Sequence, residues 1–194
     1  MRKLAILTFT TLDNVMQAPM LAEEDRSGGF DGAGWAKPYW DEVMAQVGDK
    51  AMADPYEMLL GRRTYDVFSG AVTGDIPPDN SPMTGMKKFV ATSRPETLTW
   101  ANSQALTGDV TAGVAALKQQ EGPLLQVHGS WRLIQTLLKS DLVDEMRLWV
   151  FPVILGNGKK LFEAGTPPRT FSLVETAATP NGVAMLIYRR MTDA

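Results

Sequence analysis

The sequence predicts a three-layer α/β fold, with a mainly parallel central sheet and antiparallel C-terminal strands. Two observations carry this reading. Short aliphatic runs alternate with helix-like segments from residue 3 to about residue 139, and the chain beyond residue 145 holds only strand-like runs. Alternating strands and helices build a parallel sheet with helices on both faces, and a late series of strands adds antiparallel pairing. No internal repeat and no linker divides the chain, so residues 1–194 read as a single domain.

Each element has its own local signal. Residues 3–10 are aliphatic and β-branched and close at the turn signal Thr10-Thr11-Leu12-Asp13-Asn14. A long polar segment follows, including Ser27-Gly28-Gly29-Phe30-Asp31-Gly32-Ala33-Gly34, and loops of such length are usually functional or mobile. Pro38 is expected to open a helix of about 13 residues, with Tyr39, Val43 and Val47 at i, i+4 and i+8. Glu57-Met58-Leu59-Leu60 reads as a buried strand running into a helix that starts at Gly61-Arg62-Arg63-Thr64. A proline- and glycine-rich loop spans 70–86, and 87–92 is the next strand, closed by Ser93-Arg94-Pro95.

Asp109 caps a helix whose Val110, Val114 and Leu117 share a face, with Gly122 as its stop. Residues 124–128 form a buried strand, and Gly129-Ser130 starts a helix carrying Leu133, Ile134, Leu137 and Leu138. Strands are expected at 145–152, about 170–177 and 183–190, joined by Gly156-Asn157-Gly158 and Asn181-Gly182.

Composition narrows the chemistry. The 194 residues include no cysteine and one histidine, His128. Disulfides, thiol nucleophiles, zinc ribbons and multi-histidine metal sites within one chain are thereby excluded. A net charge of −3 argues against a general nucleic-acid binder. No apolar run approaches the roughly 18 residues of a membrane span. The N-terminal stretch Met1–Phe9 reads as the first strand of a cytoplasmic protein rather than as a signal peptide. Demanding chemistry in such a chain falls to an organic cofactor or to carboxylates.

Ligands of open α/β sheets bind beyond the carboxyl ends of the strands. Three junctions there attract attention. Gly61-Arg62-Arg63-Thr64 combines a permissive glycine, two guanidinium groups and a hydroxyl at a helix start. Cations at a helix N-terminus are unfavourable alone, so this is either a pair of solvated arginines on a surface helix or a site where a bound phosphate resolves the conflict. Thr92-Ser93-Arg94 sets two hydroxyls and a guanidinium past a strand end, either an ordinary polar turn or a phosphate ligand. His128-Gly129-Ser130-Trp131-Arg132 is either a pyrophosphate cradle or a tight turn with Ser130 as N-cap. Three such junctions together favour a phosphate-rich dinucleotide. The chain has neither a Gly-x-Gly-x-x-Gly after a strand nor a P-loop motif.

In order and spacing, Leu59-Leu60-Gly61-Arg62-Arg63-Thr64-Tyr65, Thr92-Ser93-Arg94, Val127-His128-Gly129-Ser130 and Leu142-Val143-Asp144-Glu145 resemble the dihydrofolate reductase-like superfamily. The closer likeness is to the C-terminal reductase domain of the bifunctional riboflavin-biosynthesis deaminase-reductase. Thr11-Leu12-Asp13 and Phe151-Pro152-Val153-Ile154-Leu155-Gly156-Asn157-Gly158 also fit that branch, and the resemblance covers nearly the whole chain.

The resemblance implies an NADPH-dependent reductase. By position, Gly61, Arg62, Arg63 and Thr64 would hold the adenosine phosphates, and Thr92, Ser93 and Arg94 would flank the same end. His128, Gly129, Ser130, Trp131 and Arg132 would meet the pyrophosphate. Phe9, Thr10, Thr11 and Met16 would lie beside the nicotinamide. Asp41 and Glu42 fall where dihydrofolate reductases carry a carboxylate, and they are the candidate catalytic acids, with water as the alternative.

A zinc deaminase needs His and Cys ligands that are absent here, so the chain reads as a stand-alone reductase-like domain. Its expected substrate is a small polar heterocycle of pyrimidine type, such as one resembling 5-amino-6-(5-phosphoribosylamino)uracil. A homodimer is common in this branch. No metal is expected.

Other residues admit two readings. Trp35, Tyr39 and Trp40 form either a stacking wall for a flat heterocycle or ordinary core. Asp13 is a turn residue or a substrate contact. His128 is more plainly a hydrogen-bonded core or rim histidine than a proton donor. For the whole protein, the alternative to hydride transfer is a non-catalytic nucleotide-binding or scaffold protein that retains the fold. A magnesium-dependent hydrolase is disfavoured, because no acidic cluster marks the three junctions.

Overall fold

The computed structural model describes residues 1–191 except 73, 76, 78 and 80. Aliphatic runs such as Leu4-Ala5-Ile6-Leu7 and Met58-Leu59-Leu60 are buried along their length, as central parallel strands require. The strands are β1 (Leu4–Thr11), β2 (Tyr56–Gly61), β3 (Lys88–Ala91), β4 (Ser103–Leu106), β5 (Leu124–His128), β6 (Glu145–Phe151), β7 (Phe171–Ala178) and β8 (Ala184–Arg190). They form an eight-stranded sheet in the order β4-β3-β2-β5-β1-β6-β8-β7. From β4 to β6 all pairings are parallel, and β8 pairs antiparallel with both β6 and β7.

The helices are α1 (Glu42–Ala51), α2 (Arg62–Phe68), α3 (Pro82–Gly85), α4 (Val110–Gln119) and α5 (Trp131–Lys139). One sheet face places Leu4 and Ile6 of β1, Leu59 of β2 and Val127 of β5 in a core with Val114 and Leu117 of α4 and Leu133, Ile134 and Leu137 of α5. The opposite face carries two smaller cores. Trp149 and Phe151 of β6 pack with Met44 of α1 and with Phe30 and Trp35 from the loop before it, while Met58 and Leu60 of β2 pack with Tyr65 and Trp100. The result is the expected three-layer α/β arrangement.

Local details differ from the sequence reading. Pro38 does not open the helix. It lies in a separate 3-10 turn, Lys37–Tyr39, after which Trp40 is extended. Asp41 then caps α1 by accepting the Met44 amide at 2.7 Å, a competing start signal that wins because it satisfies an otherwise orphaned N–H. Tyr39 is therefore outside the helix, and Met44 and Gly48, not Val43, face inward. Strand β4 was not anticipated, since Ser103-Gln104-Ala105-Leu106 is a short edge strand with little aliphatic character. Asp109 caps α4 as expected, accepting Thr111 N at 2.9 Å and Ala112 N at 3.2 Å. Within the 70–86 loop the short helix α3 forms, and positions 73, 76, 78 and 80 lie outside the described residues.

Candidate functional site

All six parallel strands, β4 to β6, end on one edge of the sheet. Because β3, β2 and β5 are neighbours, residues 92–94, 61–64 and 128–132 emerge side by side there. Hydrogen bonds then join them. The Gly61 amide donates to Ser130 Oγ at 2.9 Å, the Ser130 amide donates to Thr64 Oγ1 at 3.0 Å, and the Ser130 hydroxyl donates to the His128 carbonyl at 2.8 Å. Arg62 donates to Thr97 Oγ1, whose hydroxyl donates to the Arg94 carbonyl at 2.8 Å, so the third junction is tied in as well. Gly61 packs closely on this turn: a Cβ on it would lie 3.4 Å from that of Ser130, within ordinary contact distance.

Several of the expected ligands have partners within the protein. Arg62 is committed within the protein, bonding Asp66 through Nε at 2.8 Å with its guanidinium 5.7 Å from the Tyr65 ring centre. Arg63 leans away from the junctions, donating to the Glu24 carbonyl at 3.1 Å and Asp25 Oδ1 at 3.0 Å. Ser130 occupies the N-cap position of α5, yet its side chain does not cap that helix. It sits at φ 58°, ψ 51°, directly after Gly129 at φ 48°, with its hydroxyl turned back to His128 and Gly61. Consequently the first-turn amides of α5 point to the edge without intrahelical partners.

Arg94 and Arg132 are exposed, and neither guanidinium bonds or pairs with a described residue. Thr92 accepts the Arg94 amide at 3.1 Å, and Ser93 is exposed beside it. Gly129, the open turn of α5 and these two arginines can together receive a multiply charged phosphate ligand. Trp131 donates its indole N–H to the Lys160 carbonyl at 3.0 Å. Among the described residues, no group of three or more His, Asp or Glu side chains is arranged to hold a metal ion.

The end of β1 is aromatic. The Phe9 ring lies 6.1 Å from Trp40, 6.1 Å from Trp149 and 5.3 Å from Phe151. Trp40 is half-exposed, whereas Trp35 is buried and donates its indole N–H to the Gln17 carbonyl at 2.8 Å. Of the two candidate stacking tryptophans, Trp40 is thus open to a ligand and Trp35 is core. Thr10 is buried, and Thr11 accepts the Val15 amide while donating to Asp13 at 2.6 Å. Met16 packs into the main core, and its amide donates to the Lys159 carbonyl.

Of the two candidate acids, Asp41 has structural work. Asp41 uses Oδ1 to cap α1 and Oδ2 to accept Asn181 Nδ2 at 2.7 Å. Glu42 is exposed on the first turn of α1, facing Gln46 at 3.3 Å. Both carboxylate oxygens of Asp41 are thus engaged, whereas Glu42 stays exposed to solvent. Asp13 accepts Leu155 N at 3.2 Å and Gly156 N at 2.8 Å in addition to Thr11, which latches the turn after β1 to the loop after β6. The Thr11 hydroxyl, together with these amides, outweighs burial and holds its carboxyl below the usual range.

His128 is buried, 3.0 Å from Gln126 Nε2, stacked on Tyr56 at 5.6 Å and edge-on to Phe68 at 6.2 Å. Burial, reinforced by nearby Arg147, pulls its pKa down to about 4. The imidazole is therefore neutral near pH 7 and packed as a core histidine.

Sequence reasoning missed a second polar centre. Asp25 accepts from Arg63, from Lys159 Nζ and from the amide and hydroxyl of Ser27. Gln17 braces the same segment, donating to the Asp25 and Ser27 carbonyls and accepting the Lys159 amide at 3.0 Å. A cavity of about 250 Å³ lies between this loop and Gly158-Lys159, and a groove of about 360 Å³ continues past Trp131, Lys160 and Phe162. Asp25 and Lys159 are 134 residues apart, so no local motif announces them.

Comparison with known proteins places this geometry in context. Residues 2–185 match the family model of the RibD C-terminal domain. The chain is 27% identical over 135 residues to the uncharacterized protein YyaP of Bacillus subtilis, covering 68% of this chain and 72% of that protein. It is likewise 27% identical over 165 residues to YwjB of the same organism, covering 83% of each.

Among solved structures, a putative riboflavin biosynthesis protein from Shewanella aligns with a TM-score of 0.66 at 20% identity, covering 98% of this chain and 99% of that one. A pyrimidine reductase-like protein from Corynebacterium diphtheriae aligns at 0.64 and 11% identity, over 99% and 93%. A dihydrofolate reductase from Enterococcus faecalis, complexed with NADP(H) and RAB-propyl, aligns at 0.60 and 14% identity, over 97% and 96%. The structural likenesses establish a dihydrofolate reductase-like fold. With that fold, and with a family match running from residue 2 to residue 185, the chain belongs to the RibD C-terminal domain family.

Proposed function

We propose that this chain is an NADPH-dependent reductase acting on a C=N or C=O bond of a small polar heterocycle. A pyrimidine resembling 5-amino-6-(5-phosphoribosylamino)uracil is the first candidate. One observation carries the reading: three polar junctions adjoin on one edge of the sheet, and Arg94 and Arg132 there pair with no described residue. Two unpaired guanidinium groups flanking an open helix turn suit the donor set that a nucleotide phosphate needs. The family match and the neighbour solved with NADP(H) support the same cofactor.

NADPH, when bound, supplies the hydride. The chain's own residues do the rest. Arg94 and Arg132 bind phosphate, with Thr92 and Ser93 offering hydroxyls. Gly129 and the first turn of α5 admit the backbone-bound oxygens. Thr64, Ser130 and Gly61 keep the junctions in register rather than touching the ligand. Arg62 acts likewise, bracing the Thr97 turn. Phe9 and Trp40 border the flat ring and exclude water. With His128 neutral and Asp41 committed to its cap, solvent delivers the proton.

In this reading residues 1–194 form one domain, acting in the cytoplasm as a homodimer. Strand β7 supports the dimer. Among the described residues it is a terminal strand with one unpaired edge, and Leu173 and Val174 are exposed on it.

Thermal unfolding with NADPH, with NADH and without ligand tests the proposal. At about 100-fold above its Kd, NADPH adds about 2.7 kcal/mol of stability. Arg94→Ala and Arg132→Ala reduce that gain, and absence of any gain in the wild type sinks the reading. The structural role of Asp41 favours one alternative, a nucleotide-binding protein without turnover. NADPH binding without consumption across a panel of pyrimidines decides for it.

A further inference from the structure

We propose that Asp25 is an internal anion that competes with the nucleotide phosphate for Arg63, so that residues 21–27 yield when the nucleotide binds. This rests on the nucleotide reading above. The loop between β1 and α1 has a closed neck: the Gly34 amide donates to the Ala18 carbonyl at 2.9 Å, the Ala36 amide to the Pro19 carbonyl at 2.9 Å, and the Trp35 indole to the Gln17 carbonyl at 2.8 Å. Beyond the neck, the segment reaches across to the first turn of α2, where Arg63 takes the Glu24 carbonyl and the Asp25 carboxylate.

The carboxylate sits between two cations belonging to different sides of the candidate edge. Arg63 is on α2. Lys159 follows β6, and its ammonium lies 5.1 Å from the ring centre of Trp131, the first residue of α5. Burial alone pushes the Asp25 carboxyl up, but the bonds from Lys159 and Ser27 outweigh it and keep the group ionised. The two cations are not equivalent. The Lys159 side chain is 23% exposed, and it also bonds Ser27 Oγ at 2.7 Å. The Arg63 side chain is 60% exposed and holds only the loop.

An exposed pair of this kind is weak, and a phosphate offers Arg63 a bidentate partner of greater charge. The two anions cannot share the guanidinium without repulsion. Arg63 therefore exchanges carboxylate for phosphate, Lys159 keeps Asp25, and residues 21–27 lose their attachment to α2. The sequence reading of Arg63 as a phosphate ligand and its observed pairing with Asp25 are then two states of one residue.

Two measurements on the full chain test this. NADPH titration by fluorescence compares wild type with Asp25→Asn and Arg63→Ala. Relief from an exposed ion pair predicts about two- to fivefold tighter binding for Asp25→Asn, with weaker binding for Arg63→Ala. Tryptic cleavage after Arg26, an exposed arginine inside the segment, is followed on the wild type alone and so does not depend on any variant folding. NADPH is expected to speed that cleavage. Binding of NADPH with equal or weaker affinity in Asp25→Asn overturns the inference, as does cleavage that NADPH leaves unchanged or slows. If NADPH binds none of the three proteins, the nucleotide reading itself has failed.

Discussion

The Gly61 amide and the Ser130 hydroxyl, 69 residues apart in the chain, meet at 2.9 Å and lock the end of β2 to the turn that follows β5. Removing the hydroxyl leaves a partly buried N–H without its partner, which costs about 1–3 kcal/mol. Ser130→Ala is therefore expected to lower the unfolding free energy from urea titration by that amount. Ser130→Gly, which suits the left-handed backbone at φ 58°, loses the same bond but should recover part of the stability. Equal stability of Ser130→Ala and wild type would show that the junctions are not held by this bond.

Acid destabilisation should carry the signature of His128. Its pKa falls from 6.5 to about 4 on folding. Between those values the unfolded chain binds more protons than the native one, so stability drops as pH falls through that window. The drop amounts to roughly 3 kcal/mol for a single buried group. Denaturant titrations at pH 7.5 and pH 4.5 read it out, and His128→Asn should flatten the difference relative to wild type. An unchanged pH slope in that variant would contradict the burial of a neutral imidazole.

Asp41 should behave as a helix cap. Asp41→Ala loses the Met44 amide bond and is expected to cost about 1 kcal/mol, whereas Asp41→Asn, also a good cap, should cost much less. Chemical denaturation distinguishes the two variants. Equal losses would shift the weight of the residue from α1 to its other partner, Asn181.

Strand β7 predicts a self-association that depends on its outer edge. Sedimentation equilibrium is expected to give twice the mass of the chain. Leu173→Lys places a charge on the exposed edge and should yield monomers with an unchanged circular dichroism spectrum. A monomeric wild type would remove the homodimer from the proposal.

The legible parts of this fold were those written in short windows. Aliphatic runs such as 58–60 and 124–128 and the cap at Asp109 encode local choices, and each forms where its neighbours indicate. Strand β4 escaped because a four-residue edge strand needs few aliphatic residues. Pro38 misled because a proline fits a 3-10 turn as well as a helix start, and Asp41 supplied the stronger signal. In the site, the three junctions were visible because each is contiguous in sequence. Their mutual bonds were not, since Gly61 to Ser130, Arg63 to Asp25 and Asp25 to Lys159 are decided by strand order rather than by adjacency.

That strand order also sets a timetable. β1 lies between β5 and β6, with Leu4 opposite Leu125 and Ala5 opposite Glu145. Along the chain, β1 thus has no lateral partner until more than a hundred further residues have followed it. Both of its edges are closed by strands distant in the chain, and such non-local pairing slows folding and leaves strand edges exposed for longer. A circular permutant beginning at β2 places β1 after both of its neighbours in the chain and should shorten that exposure.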